Sequence, residues 1–585
     1  MDLFEYSWLT SFQITKKNHN EIKLLLRDDV NFPTLGKDQE GYIICLAKPR
    51  RRDNGLTSYL NLLFDLNNDL HKRILWQTFK ASVFHLSMHA TISHFEDYTH
   101  WSKNKNLELA TFTASVIEDA AVTAGLKRLW PPFIVDVAVA NTLSYLKMKP
   151  VHLLSNPAMR LMSSVISHMS MGTVKGRPSD KLKNDTETIV HALNDFEEST
   201  EKHLTKLTEN KEETSIWNSK DDLLLEEKIS VANLIYATLR RCGGTSEVPS
   251  LLYVENHGGD SMFHGSDVPS EKDVKINVEN ALLMLKAQAR GNPSRLTETS
   301  LDTEISQIFS SWESKEKAEK RILESYMELE SGSRFTCFEF PVENLSEYLR
   351  TKAALSSPIR RVLEKLRLYK NQSGEDYRHE VGLLDMQEAI QVIASKSQRT
   401  DVFMRDELQS RQDAWAILID ASRSLRSFTG EVRGIALCLS EVARDLFTNQ
   451  NAWAQFAFSD KFQVIKDFSE IYSNRIRARV GGLEHGGMSY ISDAMLLVAE
   501  ALKRRSEELK LIVVVSDFFP SGYMDAEDRL TQCVRKIEKS GMGVIGIGVK
   551  SRAVKNYFKI ACVVDNPYDL MKKFVQAFFE FSSTT

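Results

Sequence analysis

The sequence predicts a multidomain protein, with a helical N-terminal region followed by a C-terminal α/β domain on a doubly wound parallel sheet. Three observations carry this. Apolar strand-like runs alternate with helix-like stretches through the last third of the chain, the pattern of a parallel sheet with helices on both faces. Two of those runs, residues 414–419 (Ala-Trp-Ala-Ile-Leu-Ile) and 512–516 (Ile-Val-Val-Val-Ser), end in a carboxylate, Asp420 and Asp517. Apolar residues also recur at helical spacing from about residue 55 to 170.

The chain of 585 residues is 42% apolar, enough for about three or four domains with sizeable cores. Residues 1–54 form an N-terminal segment. Its start, Met1-Asp-Leu-Phe-Glu-Tyr, lacks a basic stretch followed by an apolar one, so no signal peptide is expected. Residues 55–170 are expected as a helical domain whose first helix covers 56–82. Residues 171–300 comprise a mixed-charge stretch poor in aromatics (175–230), read as an exposed helix or linker. A Gly/Pro/Ser-bearing stretch (240–300) with Gly243-Gly244 and Gly258-Gly259 follows, read as a flexible loop region. Residues 301–410 read as a helical linker: 301–329 is Glu/Lys-rich, and 349–366 is basic and helix-prone, with a break expected near Pro358. Residues 411–583 form the α/β domain. After the strand at 414–419 come a strand at 453–459 and a short edge at 461–468. A helix at 489–509, a central strand at 511–516 and a helix at 526–540 follow. Strands at 543–549 and 561–564 and a helix at 567–581 complete it.

Composition excludes several function classes. A net charge of −4 gives no case for a nucleic-acid partner. The six cysteines are scattered with no Cys-x-x-Cys pair, against zinc fingers, iron–sulfur clusters and a disulfide framework, and in keeping with a reducing cytoplasm. No apolar run approaches the roughly 20 residues needed to span a bilayer, so no membrane span is expected. The chain has no Gly-x-x-x-x-Gly-Lys-Ser/Thr, so ATP-driven work would need another chain. Gly541-Met-Gly543-Val-Ile-Gly546 matches a dinucleotide fingerprint literally. Its glycines lead into and lie within a strand, however, where they are expected to serve packing.

The chemistry gathers at strand ends. Asp420-Ala-Ser422-Arg-Ser424 leaves the first strand with a carboxylate and two hydroxyls. Alternate residues of an extended turn point the same way, so Ser422 and Ser424 can reach one ion. Hard oxygen donors of this kind suit Mg²⁺ or Mn²⁺. Gly486-Gly487-Met-Ser489 offers a third hydroxyl from a glycine turn, and Asp517 a second carboxylate. No nucleophile–base pair accompanies them. Ser422 and Ser424 have no histidine nearby in sequence, and His485 has no evident orienting group, so a non-catalytic protein is expected.

In order and spacing these elements resemble the von Willebrand factor A (VWA) family and its metal-ion-dependent adhesion site. The resemblance implies metal contact through Ser422, Ser424 and Ser489, with Asp420 and Asp517 acting through water. Ser489 stands where that family usually has Thr, and Phe518-Phe519 where it often has small residues. Upstream, Gly382-Leu-Leu-Asp385 and Val402-Phe-Met-Arg405 precede the metal loop. They extend the resemblance, over about 345–570, to the NorD (nitric oxide reductase activation) family and its CobT- and CoxE-type relatives. Val116-Ile-Glu-Asp-Ala120 resembles the helical N-terminal domain of those proteins. The resemblance implies a partner, a MoxR-type AAA+ ATPase, and a client metalloenzyme, nitric oxide reductase among the candidates.

His85 and His89 stand four apart on the predicted helix, with Glu118 on a later one. The arrangement resembles a degenerate zinc metallopeptidase core. Leu86 occupies the place of the glutamate base, which removes the residue that would activate metal-bound water. The alternatives to an adaptor are therefore a metal-dependent hydrolase using His85, His89 and Glu118, or a stand-alone VWA scaffold.

Overall fold

The computed structural model describes residues 2–39, 41–52, 54–209, 222–285, 298–329, 334–370, 374–379, 383–395, 397–407 and 413–584. The charged run at 210–214, Gly382 and residues 286–297 of the expected loop region lie outside them. The chain divides into two compact units, Met1–Lys315 and Glu316–Thr585.

The first unit opens with the helix Leu3–Thr15, held at its start by a reciprocal Asp2–Glu5 capping box. A small sheet follows, with Ile22–Arg27 parallel and Thr34–Lys37 antiparallel to Tyr42–Ala47. Residues 56–64 are not helical as expected. Thr57–Tyr59 and Leu62–Phe64 pair antiparallel, and Leu60 and Asn61 turn the chain at φ 50° and 60°. Such left-handed pairs suit a two-residue hairpin loop. Leu60, Leu62 and Phe64 alternate with period two, and they fit a helical pattern only when joined to the true helix beyond. That helix, Asp69–Ile92, starts where the Asn68 side chain accepts the free backbone N–H groups of Leu70 and His71.

Helices Leu107–Leu129, Ile134–Lys147, Pro157–Met171, Asp180–Glu209 and Asp222–Arg240 complete the helical body. Phe112, Ile117, Leu161, Ile189, Leu193, Phe196 and Ile235 share one core. The charged helix Asp180–Glu209 belongs to this core through a single apolar face, with its charges on the other. Leu107–Leu129 is long and apolar enough to cross a membrane by length and composition, but 78% of that apolar stretch is buried inside the protein. The glycine-bearing stretch expected as flexible is packed in part: Leu252, Tyr253, Val254 and Glu255 are buried, and Glu271–Met284 is a helix.

The second unit is built on a seven-stranded sheet. From one edge to the other its strands are Ile560–Val564, Gly543–Val549, Leu509–Ser516, Asp413–Asp420, Trp453–Phe458, Phe462–Lys466 and Phe338–Glu339. All neighbours are parallel except Trp453–Phe458 with Phe462–Lys466. The central strands are buried along almost their whole length, as a sheet covered on both faces requires. On one face Ala416, Leu418, Ile512 and Val514 join Leu497, Val498 and Val534 of the helices Ile491–Lys503 and Ala526–Lys539. On the other, Trp415 packs against Phe447, Phe574 and Phe578. The glycines of the literal Gly-x-Gly-x-x-Gly are packing residues. A Cβ on Gly543 would lie 2.1 Å from the Phe581 ring, and one on Gly546 2.6 Å from Val554.

Two expectations upstream of residue 411 need correction. Residues 374–407 are not helical linker throughout: Gly374–His379, Leu383–Leu384 and Phe403–Glu407 form a small antiparallel sheet beside the helix Met386–Ser395. The helix Leu345–Lys370 also does not break at Pro358. Proline removes the N–H that would bond the carbonyl four residues back, Ala354. The Tyr568 hydroxyl donates to that carbonyl instead, at 3.4 Å.

The edge strand Phe338–Glu339 and the residues after it are tied to the α/β domain through glycine. A Cβ on Gly482 would lie 1.6 Å from the Val342 carbonyl oxygen, and one on Gly481 2.1 Å from that of Asn344. Backbone cannot yield as a flexible side chain can. Gly482→Ala is therefore expected to destabilise the second unit by about 3 kcal/mol or more. Gly430→Ala, where a Cβ meets nothing within 4 Å, is expected to be neutral or stabilising. Thermal melts of the two variants beside the wild type check this.

Candidate metal site at the carboxyl edge of the sheet

The two predicted strand-end carboxylates fall at one edge because their strands are parallel neighbours in register, with Ile419 opposite Val515. Asp420 is completely buried. Its Oδ1 accepts the Ser422 backbone N–H at 2.8 Å. Its Oδ2 accepts two hydroxyls, Ser489 at 3.0 Å and Ser516 at 2.6 Å. The structure thus brings Asp420, Ser422 and Ser489 into direct contact. Ser424 joins them through a 3.1 Å contact between its Oγ and that of Ser422. Ser424 is exposed while Ser422 is buried, so the pair leads from the interior to solvent. Asp517 lies at the same edge, mostly buried, its Oδ1 accepting the Phe519 N–H at 3.1 Å.

Backbone bonds clasp the three loops. Gly486 N–H donates to the Ala421 carbonyl at 2.8 Å and Arg423 N–H to that of Gly487 at 3.1 Å. Gly487 adopts φ +71°, and a Cβ there would strike the Asp460 carboxylate, so only glycine brings this turn against the first loop. The third loop is tied through Ser521, whose Oγ accepts the Ser489 N–H at 2.8 Å and whose N–H donates to the Ser489 carbonyl at 3.2 Å. Sequence reasoning missed Ser516 and Ser521. Ser516 was legible as the hydroxyl before Asp517; Ser521 carries no local signal.

The donor set fits a hard divalent cation. Among the described residues, neither Asp420 nor Asp517 has a lysine or arginine ion-pair partner. Burial pushes the Asp420 carboxyl up to about 6, against hydrogen bonds that pull it down, and the charge of Asp517 adds to the rise. Two carboxylates facing neutral donors leave negative charge uncompensated. Ser489 directs its proton to Asp420, which leaves its oxygen lone pairs free for a cation. The 3.1 Å between the Ser422 and Ser424 oxygens is close to the edge of about 2.9 Å of an octahedron with Mg²⁺–O distances of about 2.0–2.1 Å. His485 lies nearby, on the loop before Ser489. Burial first and then Arg433 push it down to about 4, and its Nδ1 contacts the Thr429 hydroxyl.

Residues 416–581 match the von Willebrand factor type A domain. This part of the chain is a VWA domain. Among solved structures, a von Willebrand factor type A protein from Catenulispora acidiphila is similar at 15% identity over 28% of this chain and 41% of that one, with a TM-score of 0.23. The manganese-loaded TRAP protein of Plasmodium vivax is similar at 15% identity over 29% of this chain and 72% of that one, with a TM-score of 0.24. No curated protein matches the chain. Phe518 and Phe519, which depart from the usual VWA pattern, divide their roles. Phe518 is buried against Phe558 with φ 57°, and Phe519 is 64% exposed.

In the helical unit the structure corrects the second candidate set. His85 and His89 do meet, but Glu118 is not with them. Glu118 is fully buried elsewhere, accepting the Tyr98 hydroxyl at 3.0 Å and pairing with Lys228 at 2.7 Å. Adjacent positions on a helix point about 100° apart, and it is Asp119 that faces the histidines, 3.1 Å from each Nε2. Glu255, which the sequence did not suggest, completes the group.

For the VWA site, Asp420→Asn removes the buried charge and keeps the side chain's size. Saturating Mg²⁺ is expected to raise the melting temperature of the wild type, by the equivalent of about 2.7 kcal/mol at a hundredfold excess over Kd, and to leave the variant unchanged. Without metal the variant is expected to match or exceed the wild type in stability. Equal Mg²⁺ responses from the two proteins would exclude the site.

Proposed function

We propose that the chain is a non-catalytic, cytoplasmic adaptor. In this reading its VWA domain couples a MoxR-type AAA+ ATPase to the activation or metal loading of a client metalloenzyme, with nitric oxide reductase among the candidate clients. The observation that carries the reading is the convergence of Asp420, Ser422, Ser424, Ser489 and Asp517 on one solvent-reaching edge with their negative charge uncompensated. A bound Mg²⁺ or Mn²⁺ would supply a hard coordination position that a partner's carboxylate can fill. The residues here do the rest. Asp420 orients the Ser489 hydroxyl and the Ser422 backbone, the clasped loops hold the three serines together, and Ser424 opens the site to a partner. Two large apolar side chains flank the ligands in sequence and are exposed: Met488 next to Ser489, and Phe519 two positions after Asp517. Apolar side chains beside an ion-centred contact suit protein docking. The resemblance over residues 345–570 supports the choice of ATPase class, and the absence of a phosphate-binding loop supports an energy source in another chain.

Pull-down of the purified ATPase with the 585-residue chain tests this. Ser489→Ala is expected to weaken capture at least tenfold in Mg²⁺ and to abolish its sensitivity to EDTA. The basic helix Leu345–Lys370 is the competing surface. It cannot be deleted cleanly, because its Tyr348 and Leu355 are buried. The exposed pair Arg360 and Arg361 is therefore reversed to glutamate in a second variant. Loss of capture with this variant alone places the ATPase contact on the helix and leaves the metal edge for the client. Equal capture by all three proteins rejects the adaptor mechanism.

A further inference from the structure

We infer that the helical unit holds a second metal site of different chemistry, in which His85, His89, Asp119 and Glu255 bind a divalent transition-metal ion such as Zn²⁺. The site belongs to residues 1–315, and the inference does not depend on the VWA reading.

Helix geometry sets the first three ligands. His85 and His89 are four apart on Asp69–Ile92 and so share a face. Asp119 comes from Leu107–Leu129, which packs against that helix. Glu255 arrives from a loop pinned to the same body. There the Leu252 N–H donates to Ser144 Oγ at 3.1 Å, the Tyr253 hydroxyl to Asn141 Oδ1 at 2.9 Å, and the Asn256 N–H to the Pro33 carbonyl at 3.1 Å.

The donor atoms converge on one point. The two Nε2 atoms are 2.9 Å apart. Asp119 Oδ1 is 3.1 Å from both. Glu255 Oε2 is 3.2 Å from His85 Nε2, and Oε1 is 3.3 Å from His89 Nε2. A tetrahedron of ligands about 2.0–2.1 Å from a zinc ion has edges of about 3.3–3.4 Å. Protons alone do not account for the arrangement. Each Nε2 carries one lone pair or one hydrogen, yet each faces three polar atoms. Among the described residues, both Glu255 oxygens are buried and accept no well-directed hydrogen bond. One cation at the centre satisfies every contact.

The surroundings match a metal centre as well. His89 Nδ1 contacts Ser93 Oγ at 2.7 Å, which fixes the ring and, with the hydroxyl as acceptor, turns the Nε2 lone pair inward. Tyr253 packs edge-on to His85, and Phe95 lies beside His89. His85, His89 and Glu255 are buried, while the Asp119 side chain is 33% exposed. A cavity of about 330 Å³ borders His85, Asp119 and Glu255 and is also lined by Ser115, Tyr253 and His257. It offers an entry path and space for a further ligand on the ion. The missing glutamate after His85 argues against peptide hydrolysis there, so the inference is metal binding and assigns no reaction.

Co²⁺ tests it on the full chain, stripped of metal and held in excess Mg²⁺ so that the serine site does not report. Tetrahedral nitrogen–oxygen Co²⁺ absorbs far more strongly in the visible than octahedral Co²⁺. One equivalent is expected to give an intense band, displaced by Zn²⁺. Zn²⁺ is also expected to raise the melting temperature. The near-isosteric Glu255→Gln and Asp119→Asn are each expected to weaken binding at least tenfold while keeping the wild-type circular dichroism. No band and no Zn²⁺ stabilisation in the wild type overturns the site. A band undiminished in both variants overturns the ligand assignment.

Discussion

The second unit is organised around one buried charge, the Asp420 carboxylate at the end of the central strand. Its strand is covered on both faces, so its interior residues are all apolar, and chemistry can appear only where the sheet stops. Burying a carboxylate costs several kcal/mol even after the protein relaxes around it. Three neutral donors, the Ser422 N–H and the Ser489 and Ser516 hydroxyls, offset part of that cost. They come from two loops and the end of the neighbouring strand, so the charge that destabilises the strand end is also what gathers these segments. A cation at this edge would complete the arrangement that the hydrogen bonds begin.

The loops meet this demand at a conformational cost. Gly487 supplies a left-handed turn that no side chain could share with Asp460. Phe518 adopts φ 57° immediately after Asp517, a conformation costing about 1–3 kcal/mol for a residue with a Cβ. Its ring is buried against Phe558, which offsets the strain. That turn leaves Phe519 in solvent beside the carboxylate. Strain, buried charge and an exposed aromatic therefore coincide within three residues.

Much of this edge was legible in the sequence, because its parts are local. An apolar run ending in Asp-x-Ser-x-Ser, a glycine turn before Ser489 and a second run ending in Asp517 each declare themselves within about ten residues. What stayed hidden depends on contacts distant in sequence. The edge strand Phe338–Glu339 pairs with a strand more than a hundred residues later, and two residues carry no periodicity. The helix through Pro358 survives with a hydroxyl donated from Tyr568. Glu118 and Asp119 show the limit of linear patterns most plainly. One position along a helix decides which carboxylate faces the histidines, and spacing alone does not resolve it. Glu255 had no signal at all, since only the packed loop carries it to His85 and His89.

The two donor sets separate the ions they would take. The VWA edge offers only oxygen, mostly neutral hydroxyls, and such a site selects by hardness; it suits Mg²⁺, which keeps several waters and takes few protein ligands. The helical cluster offers two imidazoles and two carboxylates at close range. Nitrogen donors favour the later first-row metals, for which Mg²⁺ is a poor competitor. Exchange differs as well. The serine edge opens to solvent through Ser424, whereas His85, His89 and Glu255 are buried and only the Asp119 side chain is partly exposed, so an ion bound there would exchange slowly. The oxygen site is thus suited to a contact made and broken, and the histidine site to an ion retained.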